Sequence, residues 1–249
     1  MSKRQEIRTR RKRERTRNRI FVILLVAAGA LLVAFVFVLP GIQKATDTPG
    51  AGQTQIVAIT PRPGNFPRSG TSMGDPNAKV KMDVWEDFQC SGCEYYSTNL
   101  EPQIIRTFIE TGKIYYTFHF MPFIDGGAGE SHQAANAALC ASGQGRFWDY
   151  HDMLFANWTG ENVGDYTDSR LIAFAGQLGL DMVKFKQCFE TNAYATQISQ
   201  DEQAGKDKGV PPTPGIFVNG QMVVSNKGQN YIPTFDDISN AIDAALAGK

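Results

Sequence analysis

The stretch "DFQCSGCEYY" at residues 87–96 sets Cys90 and Cys93 apart by only Ser91 and Gly92. Two thiols at this spacing can ligate a soft metal, close a structural disulfide, or make and break a disulfide in turnover. For the last of these the attacking species is a thiolate, and a free thiol with a pKa of about 8.5 is mostly protonated at neutral pH. A helix that starts at the first cysteine changes this, because its unsatisfied N–H groups and positive dipole end favour charge on the sulfur. A stabilised thiolate is also a good leaving group, so such a pair tends to pass its disulfide on. A metal carrier would usually add a His or Met beside the cysteines, and this stretch contains neither.

Such a pair needs a strand to deliver it and a helix to follow it. "VKMDVW" at residues 80–85 alternates as a strand leading toward Cys90. From Cys93 to Thr111 the residues Tyr96, Leu100, Ile104, Ile105 and Phe108 form a helical stripe, which Gly112 ends. "IYYTFHFM" at residues 114–121, rich in aromatic and β-branched side chains, predicts the next strand. Strand, helix, strand at this length is a βαβ unit with parallel strands. Helices are predicted over Glu130–Ala141, Gly145–Ala156, Ser169–Leu178 and Asp181–Glu190, with Asp181 as an N-cap, and again after Tyr194. Ile216–Val218 and Met222–Val224 flank Asn219-Gly220, the strongest short-range hairpin signal, and Phe235–Leu246 closes as an amphipathic helix. The outline is an α/β order of β-α-β, a helical insert, then β-β-α.

The 25 basic and 25 acidic residues balance overall, but residues 1–19 hold ten Lys and Arg against only Glu6 and Glu14. Next comes Ile20–Leu39, "IFVILLVAAGALLVAFVFVL", without one charged side chain. A helix of that length rises about 30 Å, the thickness of a bilayer's hydrocarbon core. The positive flank belongs in the cytoplasm, which places everything after Pro40 on the other side. A cleavable signal peptide is the rival reading. Its apolar core runs about 7–15 residues and ends in a small-residue site. "PGIQKATDTPG" offers no A-x-A, so a retained anchor in the bilayer is favoured. The basic tail, without interleaved aromatics and beside an anionic membrane face, reads as a cytoplasmic topology signal and not as a nucleic-acid binder. Residues 40–77, rich in Pro, Gly, Thr and Ser, read as a flexible linker, which leaves residues 78–249 as one domain.

The C-x-x-C at the end of the first strand of a βαβ unit reads as a thioredoxin-like redox motif. More narrowly, the chain resembles the DsbA-like thiol:disulfide oxidoreductases, in particular the membrane-anchored bacterial ones. The resemblance rests on "GDPNAKV", "DFQCSGC", "LEPQIIRTFIETGKI", "AANAALCASGQGRFWDYHDMLF", "GLDMVKFKQC" and "GVPPTPGIFVNG", which lie in the family's order over about residues 72–246. It implies a thioredoxin-like fold with a helical insert at about residues 129–208, Cys90 and Cys93 as the catalytic pair, and no cofactor. It implies that Thr213-Pro214 is a cis-proline loop packed against the pair, and that Cys140 and Cys188 form a structural disulfide within the insert. It implies exported proteins with free thiols as substrates and a quinone-linked membrane partner for reoxidation.

Two departures bear on oxidising strength. Ser91-Gly92 stands where strong oxidants of the family often carry a histidine, and Val84 stands six residues before Cys90, where family members commonly bury a carboxylate as a proton relay. Glu86 or Asp87 could substitute, against the reading of both as solvent-facing charges. A reductase or isomerase on the same fold therefore stays open, as does a metal-binding chaperone. His119, His132 and His151 read as structural, with no metal site implied by their spacing. Asn157-Trp158-Thr159 fits a glycosylation sequon, and Tyr95, Tyr96, Phe147, Trp148 and Trp158 read as core or groove lining.

Overall fold

A computed structural model describes residues 55–248 other than 63 and 128, all of them in one compact unit, Pro49–Lys249. The predicted tail, membrane span and first part of the linker, residues 1–54, lie outside the described residues. Among the described residues no helix is long and apolar enough to cross a membrane.

Strands β1 (Arg68–Ser69) and β2 (Ser72–Gly74) form an edge hairpin, followed by β3 (Val80–Glu86). A continuous helical stretch, α1, covers residues 91–109, with wide turns at Tyr96–Leu100 and Ile105–Ile109. Pro102 lacks an N–H within this stretch, and a wide turn next to it is the ordinary way for a helix to absorb that loss. The stripe read from the sequence is its buried face: Tyr96, Leu100, Ile104, Ile105 and Phe108 are all in the core. β4 (Ile114–Phe120) then pairs with β3 in parallel, Val84 opposite Phe118 and Glu86 opposite Phe120.

Five helices make the insert: α2 (Glu130–Ser142), α3 (Phe147–Ala156), α4 (Asp168–Gln177), α5 (Met182–Glu190) and α6 (Ala195–Lys208). Ala134, Ala135, Ala137, Ala138 and Ala141 of α2 are all buried, and small side chains let neighbouring helices approach it closely. Asp181 caps α5 by accepting from the backbone N–H groups of Val183 and Lys184. β5 (Gly215–Val218) and β6 (Gln221–Met222) turn through Asn219 and Gly220, whose φ values of 47° and 81° are what such a tight hairpin demands. Thr234 and Asp237 form a capping box at the start of the closing helix α7 (Phe235–Leu246). The sheet order is β1-β2-β4-β3-β5-β6, with the βαβ unit at its centre and the predicted order of elements intact.

The linker reading is corrected from residue 55 onward. Val57 exchanges two backbone hydrogen bonds with the Asn157 side chain, at 2.8 and 3.0 Å. Arg62 enters the domain interior, and β2 pairs antiparallel with β4. Composition misled because Pro and Gly also punctuate a strap held by its neighbours. The same contacts close the sequon: the Asn157 side chain is fully buried and engaged, so the folded domain offers no acceptor there.

Candidate active site

β3 ends at Glu86, and residues 87–89 turn the chain into α1. This turn is clamped from three sides. Asp87 accepts from the backbone N–H groups of Gln89, Phe123 and Ile124, each at 2.9 Å. From the insert, the Tyr166 hydroxyl donates to the Phe88 carbonyl at 3.0 Å and Trp158 Nε1 to the Gln89 carbonyl at 2.9 Å. Burial comes first among the causes that raise the Asp87 pKa, and its backbone donors oppose it.

Cys90 is the N-cap of α1, extended at φ −75° and ψ 124°, with Cys93 one turn in. Cys90 is 8% exposed, whereas Cys93 is sealed, and both are free thiols. The Cys90 pKa is lowered to about 6. The hydrogen bond from Cys93 contributes most, burial opposes it, and the backbone N–H groups of Cys93 and Gly92 add to the effect. Cys93 moves the other way, raised well above a free thiol by burial, by its hydrogen bond to Cys90 and by the charge of Glu86. One geometry thus splits two chemically identical groups into a nucleophile just under the surface and a fully buried proton holder.

The Thr213–Pro214 peptide is cis, and the Thr213 carbonyl accepts from Cys90 Sγ at 3.3 Å. A Cβ added at Gly92 would lie 3.2 Å from Ile232 Cδ1, Pro214 Cδ and the Thr213 oxygen alike, so glycine is what lets this loop close on the helix start. Ser91 is exposed beside it. A cavity of about 250 Å³ continues from the loop, walled by Pro212, Thr213, Pro214, Met222, Tyr231 and Ile232. Cys140 of α2 and Cys188 of α5 form a disulfide inside the insert, away from this site.

The solvent-facing reading of Glu86 and Asp87 is overturned, since each is only 1% exposed. The period of a strand explains Glu86. It stands two residues after Val84 and so shares the buried face of β3 that leads to the cysteines. Burial raises its pKa well above the usual carboxylate range. The Glu101 charge adds to this, Arg62 opposes it, and the charge of Cys90 adds again.

Around Glu86 lies a buried polar cluster that the sequence did not disclose. Tyr116 of β4 donates to Glu86 at 3.4 Å. Glu101 of α1 is fully buried and meets Arg62 Nη2 at 2.5 Å. Arg62 also grips Asp152 of α3 with Nε at 2.7 Å and Nη2 at 2.5 Å, lies 3.0 Å from His151 Nδ1, and stacks over the Trp148 ring at 4.9 Å. Glu101 had a legible signal, since it falls three and four residues before Ile104 and Ile105 on the buried stripe. Arg62 had none, because it lies in a segment that reads as linker. Glu101, His151 and Asp152 bring donor atoms within 4.8 Å of one another, as a metal site would, but the Arg62 guanidinium already contacts all three as the cation among them. His119 holds Asp83 and Asp201 at 3.1 and 3.3 Å, and exposed His132 pairs with Asp125, both away from the cysteines.

The thioredoxin family matches residues 68–244. "Probable disulfide bond formation protein D" of Bacillus cereus is 25% identical over 177 residues, covering 70% of this chain and 78% of its own length. The crystal structure of oxidised BdbD from Bacillus subtilis is similar at TM-score 0.64 and 22% identity, covering 72% of this chain and 94% of that one. Chlamydia trachomatis DsbA is similar at TM-score 0.60 and 23% identity, covering 72% and 92%. At such identities the two structures speak for the fold alone, and that fold is the thioredoxin-like one with a helical insert. The family match runs from the edge hairpin through the cysteine pair to the closing helix, and the chain belongs to the thioredoxin family as a DsbA-like thiol:disulfide oxidoreductase.

Proposed function

We propose that the protein is a membrane-anchored oxidase that introduces disulfides into exported proteins, with Cys90 as the exchanging thiol and Cys93 as the resolving one. The observation that carries this reading is the split between a Cys90 thiolate favoured at a pKa of about 6 and a sealed, protonated Cys93. In the oxidised enzyme a substrate thiolate attacks Cys90 Sγ. The Cys90–Cys93 bond breaks, Cys93 leaves with the electron pair, and Glu86 supplies its proton. A second substrate thiolate attacks the substrate sulfur of the mixed disulfide, and Cys90 leaves as the stabilised thiolate. Two electrons now rest in the enzyme dithiol, and a quinone-linked membrane partner would take them. The cavity beside Pro214 suits an apolar stretch of substrate chain. The uncharged Ile20–Leu39 span after a basic tail supports a domain held outside the cytoplasm. The name of the Bacillus cereus relative agrees with disulfide formation.

Ser91-Gly92, without a histidine between the cysteines, favours a second reading, a reductase or isomerase. The reduction potential of the Cys90–Cys93 pair, measured in glutathione buffers, separates the two. A value near −120 mV, about that of a strong oxidant, supports the oxidase, whereas about −270 mV, thioredoxin's range, overturns it in favour of the reductase.

A further inference from the structure

The buried ion cluster draws its cation from outside the αβ framework. Arg62 belongs to the strap that precedes residue 68, where the family match begins. Its side chain is 10% exposed, against 0% for Glu101 and 18% for Asp152. Two carboxyl groups, Glu86 on β3 and Glu101 on α1, are sealed beneath the cysteines, with Tyr96 of α1, Tyr116 of β4 and His151 and Asp152 of α3 around them. Arg62 is the cation that reaches Glu101 directly and acts on Glu86 through space. Buried polar atoms are ordinarily paired, yet among the described residues Arg62 Nη1, Glu86 Oε2, Glu101 Oε1 and His151 Nε2 have no hydrogen-bond partner. All four belong to residues of the polar cluster around Glu86. On the strap side a cavity of about 390 Å³, walled by Ile59, Arg62, Ser97, Pro102, Ile105 and Asp152, leads from this cluster to the surface.

We propose that Arg62 is a positioning residue of the redox centre: the strap carries its guanidinium to Glu101, where it balances that charge beside Glu86, the carboxyl group that exchanges a proton with Cys93. The inference rests on the redox role of Cys90 and Cys93 given above. In the resolving direction, the Cys93 thiol passes its proton to the Glu86 carboxylate. The Cys93 thiolate attacks Cys90 Sγ in a mixed disulfide, and the bound thiol leaves as its thiolate. Without Arg62, Glu86 loses the nearby cation that opposes the Glu101 charge, and its proton affinity rises. The strap is then part of the catalytic domain's electrostatics and not only a tether.

The test is the pH profile of the resolving step in the full chain. Reduced protein is mixed with glutathione disulfide, and release of the second glutathione is followed between pH 5 and 9. Arg62→Gln is expected to move the midpoint up by about one unit, which slows the step about tenfold at neutral pH. Arg62→Lys and the double variant Arg62→Gln/Glu101→Gln are expected to return it toward the parent. Glu101→Gln keeps the cation and removes its partner, so it moves the midpoint down. A structural ion pair alone would lower thermal stability in these variants and leave the midpoint in place, and that result overturns the proposal. If Arg62→Gln does not fold, the direction of the Glu101→Gln shift decides by itself. A parent protein that forms no mixed disulfide at all overturns the redox reading, and this inference with it.

Discussion

At the scale of residues, the chemistry depends on keeping two thiols different. Cys90 has the backbone N–H groups of the α1 start and the Cys93 thiol to hold its charge, while Cys93 has burial and the Glu86 charge against it. Reagents should read this difference directly. Alkylation of the reduced protein by iodoacetamide at pH 7 is expected at Cys90 and not at Cys93, with a rate that rises through a midpoint near pH 6, where the Cys90 thiolate forms. Mass mapping of the modified cysteine and the pH profile of its rate check both points. Equal labelling of the two cysteines, or a midpoint near that of a free thiol, would mean that the helix start does not stabilise the charge. Glu86 acts at the same scale. It stands one strand period beyond Val84 on the same buried face, a placement visible only when β3 is read by its alternation.

At the scale of elements, a close approach and an ion triad help to fasten α6 over β3 and β4. Gly205 is the close approach: a Cβ there would lie 2.9 Å from Trp85 Cδ1 and 3.0 Å from Met121 Sδ. Gly205→Ala is therefore expected to destabilise the fold by about 1–3 kcal/mol through overpacking, despite alanine's better helix propensity, as denaturant titration would show. The triad is His119 between Asp83 and Asp201, with the His119 ring stacked on Trp85 at 4.2 Å. Burial works against its charge, and the hydrogen bonds it donates to Asp201 and then Asp83 outweigh that, raising its pKa from 6.5 to about 9. A folded-state pKa above the unfolded one stabilises fully below pH 6.5 and fades as pH rises through about 9. The unfolding midpoint should fall across that window, and His119→Asn should remove this part of the slope. A slope that survives the substitution would place the titration elsewhere.

At the scale of the whole molecule, what the sequence disclosed was what local pattern encodes. The alternation of β3, the stripe of α1, the Asp181 cap and the Asn219-Gly220 turn each announce themselves within one element, and the cysteine pair sits where two of them meet. What it hid was long-range. Arg62 lies 39 residues from Glu101 and 90 from Asp152, and nothing in the Pro- and Gly-rich segment around it separates a strap from a tether. That difference has a measurable consequence for where the domain begins. A boundary at residue 78 removes β1 and β2, and with them the antiparallel partners of Tyr115, Tyr116 and Thr117 on β4. It empties the fully buried position of Met73 and takes the acceptor of Trp148 Nε1, the Ser72 carbonyl at 3.3 Å. It also strips Arg62 from Glu101 and Asp152, and removing one partner of a buried pair ordinarily costs about 3–5 kcal/mol. A chain of residues 55–248 should therefore exceed one of residues 78–248 in unfolding free energy by at least about 3 kcal/mol in urea titration. Equal stabilities would return the boundary to residue 78 and leave the strap as the tether that its composition suggests.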